Sequence, residues 1–433
     1  MGFERFIASR FRFSSGEGFT NVIVRIAAIS IAVSIAIMII TSTLIYGFKD
    51  KIINKVYGFW GHIQITDSNI SRSYEVKPLN ENDINIDEIL SLKQLKYQSP
   101  KSILGFEIKD SYVDKETKGG VKVAQPFITI PGLIQTKDYY LAIMQKGVDQ
   151  TYDWSYIGSY IKEGRIPHIT EDSISNETII SKDIAAKLIL GVGDEYIMSY
   201  IKDNQPLKKK MKVVGIYSTG LAEYDKKFIF CDIKELQETL GWTKDEVVGY
   251  EVFVDNIDDI PAFNEYLYYN ILPSNVYSES TRNKYPGIFD WLELQSINER
   301  IILQLMIVVG IINMITVLLI LILERSRMIG ILKALGARNS SIRKIFLYKA
   351  AYIIFYGMLW GNVIGIGLCF LQQKFEFITL DESSYYLDVA PIKFDWMKIL
   401  MINSASFLVV MFCLILPSML ISRLKPVSVL RYE

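Results

Sequence analysis

The chain is expected to fold as an α-helical membrane domain of four transmembrane helices, with an α+β domain inserted between helices 1 and 2. Three observations predict this. No Asp, Glu, Lys or Arg occurs in 26–48, 301–323, 350–373 or 399–422, and each run is long enough to cross about 30 Å of hydrocarbon. About 250 residues of ordinary soluble composition separate the first run from the second. The remaining connections are short, and their charges alternate in sign. Four Lys/Arg lie in 1–25, seven in 324–349 and three in 423–433, whereas 372–396 holds two lysines against five carboxylates. By the positive-inside rule both termini and 324–349 are cytoplasmic, and the large domain and 374–398 lie outside.

The expected order is a cytoplasmic interfacial helix (1–20), helix 1 (21–48), the outer α+β domain with stalks (49–298), helix 2 (299–323), a basic cytoplasmic segment (324–349), helix 3 (350–373), an outer loop (374–398), helix 4 (399–422) and a cytoplasmic tail (423–433). Phe3, Phe6, Ile7 and Phe11 recur at helical spacing among arginines, which suits a helix lying in the membrane surface. The first run is too long for a signal-peptide core and no small-x-small site follows it, so it reads as an uncleaved anchor. Phe48, Ile52 and Val56 continue its apolar stripe outward. Leu294, Ile297 and Ile301 do the same for a helix that starts after Lys284-Tyr-Pro-Gly287. Both helices are therefore expected to run into the outer domain as stalks.

Within that domain, 62–66, 196–201, 210–217, 228–231 and 250–254 read as strands, with 196–217 a hairpin. Helices are expected at 181–190, 232–240 and 258–268, with Asp232 and Asp258 as caps. Cys231 is the single cysteine of this region, so the domain relies on its own core rather than a disulfide. Gly357, Gly361 and Gly365 recur every four residues in the third run, a face that lets another helix approach closely in lipid. Asn313 in the second run can bond across helices or face a wet cavity.

The 47 basic and 47 acidic residues balance, which gives no field for nucleic acid. The sequence has no Gly-x4-Gly-Lys-Ser/Thr, nucleophile elbow, zincin motif or clustered His/Cys, and the four runs carry no ionisable relay. No catalytic, cofactor-binding or metal-binding residue is assigned. In 324–349, Met328, Ile329, Ile331, Leu332 and Leu335 give a short helix a broad apolar side. Gly336 is placed to end it, and Asn339 or Ser340 to cap the next. Such a segment can dock into a groove on a soluble subunit, or lie as a membrane-surface loop pinned by arginines.

Glu324-Arg-Ser-Arg-Met-Ile-Gly-Ile-Leu-Lys-Ala-Leu-Gly-Ala-Arg338, followed by Ile342-Arg-Lys-Ile-Phe346, closely resembles the segment through which ABC permeases of the FtsX/MacB superfamily contact their nucleotide-binding subunit. Gly215-Ile-Tyr-Ser-Thr-Gly-Leu-Ala-Glu-Tyr-Asp225, Tyr385-Tyr-Leu-Asp-Val-Ala-Pro-Ile392 and the ending Leu424-Lys-Pro-Val-Ser-Val-Leu-Arg-Tyr-Glu433 resemble the lipoprotein-releasing LolC/LolE branch. The stretch around 67–125 matches weakly. The resemblance implies a MacB-like periplasmic domain and a non-catalytic permease subunit of the bacterial inner membrane. Its expected partners are a cytoplasmic ABC ATPase that binds ATP and Mg, a second permease chain (a copy or a paralogue), membrane lipid, a lipoprotein substrate and a periplasmic carrier. Arg325, Met328, Ile331, Leu332, Leu335 and Arg338 then become ATPase-coupling residues, and Gly357, Gly361 and Gly365 a packing face. Ile37, Ile40, Leu44, Phe48, Leu294, Ile297 and Ile301 form a possible lipoprotein path. Rival readings are a MacB-type efflux or peptide-export permease, which commonly carries a fused ATPase, and an FtsX-type signalling subunit, whose outer domain is much smaller.

Overall fold

A computed structural model of the chain describes residues 19–68, 77–80, 83–103, 106–202 and 205–423. Apart from Phe19, Thr20 and Arg423, the expected interfacial helix and tail lie outside the described residues. The chain divides into two compact units. A helical unit takes the chain up to Lys51, Asp290–Leu380 and the residues from Val389 on; the other takes Ile52–Phe289 and Asp381–Asp388.

The first helix, α1 (Phe19–Trp60), is continuous over 42 residues. At 1.5 Å per residue this is about twice the hydrocarbon thickness. Ile52 and Val56, on its expected outward stripe, are fully buried.

Strands follow in the order β1 (Ile63–Asp67), β2 (Leu79–Asn80), β3 (Lys96–Ile103), β4 (Phe106–Glu116), β5 (Val121–Gln135), β6 (Tyr140–Val148), β7 (Ile161–Gly164) and β8 (Glu177–Ser181). Helix α2 (Lys182–Leu188) leads to the hairpin β9 (Glu195–Lys202) and β10 (Gln205–Tyr217), then β11 (Phe228–Asp232) and α3 (Ile233–Leu240). The unit continues with β12 (Glu246–Val247), β13 (Gly249–Val254), α4 (Ile260–Tyr266) and β14 (Val276–Ser280). Among the described residues, ten strands make one mixed sheet in the order β14-β1-β13-β5-β6-β11-β8-β10-β7, with β9 pairing β10 and β5. The β6–β11 and β8–β10 pairs are parallel. Every position of β11 is buried, as its unbroken apolar run requires of a strand covered on both faces.

Strands β3 to β6 are not read from the sequence. Pro126, Pro131 and Gly132 interrupt β5 and argue against a strand. The sheet accommodates them because each has one neighbouring strand: Pro126 pairs Tyr250 of β13, and Pro131 and Gly132 pair Met144 and Ile143 of β6. The single helix expected over 258–268 is instead a 3-10 turn Ile257–Asp259, α4, and a π turn Leu267–Ile271. Its start is set by Asn256, not Asp258: the Asn256 carboxamide accepts the Asp258 N–H at 2.9 Å. Asp232 does cap α3, accepting the Lys234 N–H at 3.0 Å.

The helical unit resumes with α5 (Pro286–Glu324), α6 (Ser326–Ala334), α7 (Asn339–Phe375) and α8 (Trp396–Cys413). Among the described residues, four helices are long and apolar enough to cross a membrane: Val22–Trp60, Pro286–Glu324, Asn339–Phe375 and Trp396–Ser418. The last is not one regular helix. It breaks after Cys413, four residues before Pro417, because proline lacks the N–H that would bond Cys413 and its ring crowds that carbonyl. The bundle core joins Ile31, Ile35, Met38 and Ile39 of α1 to Met314 and Leu318 of α5, Ile329 of α6, Ile353 and Ile354 of α7, and Val410 of α8.

Candidate coupling segment and bundle packing

Helix α6 begins one residue after α5 ends. Arg325 separates them, and its carbonyl accepts the Ile329 N–H at 3.0 Å. The apolar side read from the sequence divides in two. Ile329 is fully buried, and Met328 and Leu332 pack partly against the bundle core. Ile331 and Leu335, one turn apart, are 51% and 78% exposed. Arg325 and Arg338 are exposed beside them. Lys333 donates to the Ile421 carbonyl at 2.7 Å, which holds α6 to the end of the fourth span.

The stop at Gly336 is a Schellman motif. Gly336 has φ +88°, its N–H reaches the Lys333 carbonyl at 3.0 Å, and Ala337 N–H reaches Leu332 at 2.9 Å. Only glycine takes this left-handed backbone without strain. Neither Asn339 nor Ser340 caps α7. The N-cap is Arg338, extended at ψ 145° and without a side-chain hydrogen bond, because the turn leaves Asn339 already helical.

The glycine stripe of α7 lies on α1. A Cβ on Gly357 would stand 2.8 Å from the Ala28 carbonyl oxygen and 2.9 Å from Ile31 Cβ. On Gly361 it would stand 2.7 Å from the Ala32 oxygen and 2.8 Å from Ile35 Cβ, and on Gly365 3.0 Å from Ala36 Cα. The pairing advances along both helices together, so α1 and α7 run parallel. Polar side chains clasp the same bundle. Asn313 donates to the Ser30 hydroxyl, and Thr43 Oγ1 meets Cys369 Sγ at 3.1 Å. Asn362 and Asn403 exchange hydrogen bonds at 2.7 and 3.0 Å. Ion pairs tie Lys398 to Glu299 and Lys393 to Asp50, both at 2.6 Å.

The suggested substrate stripe differs between the two helices. On α5, Leu294, Ile297 and Ile301 are 57%, 43% and 48% exposed. On α1, Ile37, Ile40 and Leu44 are half-buried, and Phe48 is buried edge-on against Trp291 with ring centroids 5.4 Å apart.

The sheet unit holds a buried charge pair that sequence reasoning missed. Lys146 of β6 donates to Glu251 of β13 at 2.7 Å and to the Phe59 carbonyl at 2.5 Å. Its ammonium lies 5.1–5.8 Å from the ring centres of Trp60, Phe59, Phe230 and Tyr152. Burial pushes the lysine down and the carboxyl up, while their contact holds each toward its charged form. The available signal was one charge of opposite sign in each of two otherwise apolar strand stretches. Another lysine, Lys55 of α1, donates to the Thr219 carbonyl and to that of Tyr386 at 2.9 Å. It thereby joins the stretches 215–225 and 385–392. Asp225 folds the loop it reaches, accepting both the Thr219 and Gly220 N–H at 3.0 Å. Among the described residues no three His, Cys, Asp or Glu side chains converge as a metal site.

His62 gives this unit a pH response. Burial pushes its imidazole down to about 4, and Nδ1 accepts the Val254 N–H at 2.9 Å, which only the neutral ring can do. A depressed folded pKa contributes stability that is present above 6.5 and lost as pH falls toward 4, about 2 kcal/mol of it by pH 5. Asp225 acts oppositely. Burial raises it to about 6, so its contribution fades as pH rises through that value and partly offsets the histidine. His62→Gln is therefore expected to raise the melting temperature at pH 5 relative to that at pH 8, compared with the same difference in the native chain. Identical pH dependence in the two proteins would exclude His62 as the source.

Residues 26–267 match the family described as MacB-like periplasmic core domain, and 300–426 match FtsX-like permease C-terminal. The Haemophilus influenzae lipoprotein-releasing system transmembrane protein LolE is 21% identical over 430 residues, covering 94% of each chain. The LolC protein of that system in Neisseria meningitidis serogroup B is 24% identical over 336 residues, covering 73% of this chain and 80% of its own. The extracellular domain of the noncanonic ABC-type transporter YknZ from Gram-positive bacteria aligns at 14% identity over 50% of this chain and 98% of its own. Its TM-score of 0.31 is too low to bear on the fold.

Proposed function

The chain belongs to the family that couples a MacB-like periplasmic core domain to an FtsX-like permease domain, and from that premise we propose that it is the permease subunit of an ABC transporter that extracts lipoproteins from the inner membrane. The observation that carries this reading is the end-to-end alignment with a protein named for lipoprotein release, 94% of each chain. In this reading both termini and α6 are cytoplasmic, and the sheet unit, inserted between the first two spans, is periplasmic. A second permease chain, a copy or a paralogue, completes the passage, since four helices are too few to enclose one. A separate cytoplasmic ATPase binds ATP and Mg and supplies the energy. The permease performs no covalent chemistry. It transmits nucleotide-driven closure to its outer domain, which lifts a lipoprotein sideways from the outer leaflet and passes it to a soluble periplasmic carrier.

Helix α6 has the form this task needs. Met328, Ile329 and Leu332 fasten it to the bundle, so force applied to it is not lost in a loose loop. Ile331 and Leu335 remain for the ATPase groove, with Arg325 and Arg338 at its edge. Leu335→Asp would bring a carboxylate against an apolar surface at a cost of several kcal/mol. It is expected to lower co-purified ATPase at least a hundredfold in apparent affinity while the permease keeps its melting temperature. Leu332→Asp should also lower the melting temperature, because Leu332 packs inward. Undiminished ATPase recovery and coupled hydrolysis with Leu335→Asp would show that the docking surface lies elsewhere.

A further inference from the structure

A groove of about 370 Å³ runs between α1 and α7, beside the glycine contact. Its α1 wall is Val24, Arg25, Ala28, Ile29, Ala32 and Val33; Trp360, Tyr356 and Tyr352 form much of the α7 wall. Among the described residues, Arg25 and Lys349 are its charged lining residues. Because α1 and α7 run parallel, both cations fall at the same end. From there the α7 wall extends from Lys349 to Ile364, about 22 Å of helix, which exceeds one leaflet of about 15 Å.

We infer that this groove binds one anionic phospholipid, its phosphate held between Arg25 and Lys349 and one acyl chain lying along the Tyr356–Trp360 wall. An apolar slot deeper than one leaflet, with two cations at the membrane boundary, complements such a lipid in both shape and charge. A second copy of the chain fits less well. Two identical faces meeting about a two-fold axis would set these cations against each other. The Lys349 ammonium also lies 5.7 Å from the Tyr352 ring centre, which places it along the groove wall. The inference rests on the chain being embedded in a membrane and is independent of what it transports.

Trp360 reports directly on the groove. The full chain in nanodiscs is titrated with phosphatidylglycerol or phosphatidylcholine brominated on the acyl chains, and Trp360→Phe isolates the fluorescence that Trp360 contributes. Half-maximal quenching is expected at a mole fraction of phosphatidylglycerol about 25-fold lower than of phosphatidylcholine, each cation adding about fivefold. Arg25→Gln with Lys349→Gln should remove that preference and leave the phosphatidylcholine curve unchanged, which also reports that the groove is intact. Arg25→Gln alone serves if the double variant does not fold, and should remove about half of the preference on a logarithmic scale. Equal curves for the two lipids, a preference that survives loss of the cations, or no quenching by either lipid would each overturn the site.

Discussion

Lys146→Met is expected to lower the stability of the sheet unit by about 3–5 kcal/mol, because it strands Glu251 in a dry interior without its partner. The lysine meets β13 through Glu251 and the end of α1 through the Phe59 carbonyl and the Phe59 and Trp60 rings. Losing it removes a tie as well as a charge. In a domain of this size the melting temperature should fall by about 10 °C. Adding Glu251→Gln should recover much of the loss, since replacing both members of a buried pair is far less costly than removing one. A single variant that melts with the native chain would mean the pair contributes nothing, and a double variant no better than the single would locate the cost elsewhere.

Gly361→Leu is the second large effect. Its Cβ alone would stand 2.7 Å from the backbone oxygen of Ala32, so the clash cannot be relieved by turning a side chain. Overpacking of this kind costs about 1–3 kcal/mol where neighbours can yield, and more is expected here because α1 must move as a body. The folded yield of the solubilised chain should collapse. Gly367 offers the control on the same helix, since a Cβ there meets nothing within 4 Å. Gly367→Leu should express and melt as the native chain does. Equal tolerance of the two substitutions would remove the close approach of α1 and α7 from the account.

Much of the architecture is legible where one physical signal dominates. Uncharged runs mark the apolar helices because charge is so costly in hydrocarbon. Pro286-Gly287 starts α5 where a proline is tolerated in a first turn. Gly336 ends α6 because its left-handed backbone excludes most other residues. The family was legible in the same short segment. Other features depend on partners distant in sequence. Pro126 and Pro131 read as strand breakers until the neighbours of β5 are known. The apolar side of α6 reads as one surface, although tertiary packing takes Met328, Ile329 and Leu332 inward and leaves Ile331 and Leu335 out. Phe48 continues an apolar stripe in the sequence, yet Trp291 covers it. Nothing local marks Lys146 as buried, because Glu251 and the four aromatic rings that close around it are distant in sequence.

ATP-dependent release of a lipoprotein is the decisive measurement for this permease. The permease is purified with its co-isolated ATPase and partner permease and reconstituted with a triacylated lipoprotein in the outward leaflet and a soluble carrier outside. Lipoprotein is expected to move to the carrier only while ATP is hydrolysed, and Leu335→Asp to abolish the transfer while leaving the permease folded. Steady ATP hydrolysis with the lipoprotein retained in the bilayer, while another solute crosses, would contradict a role in lipoprotein release.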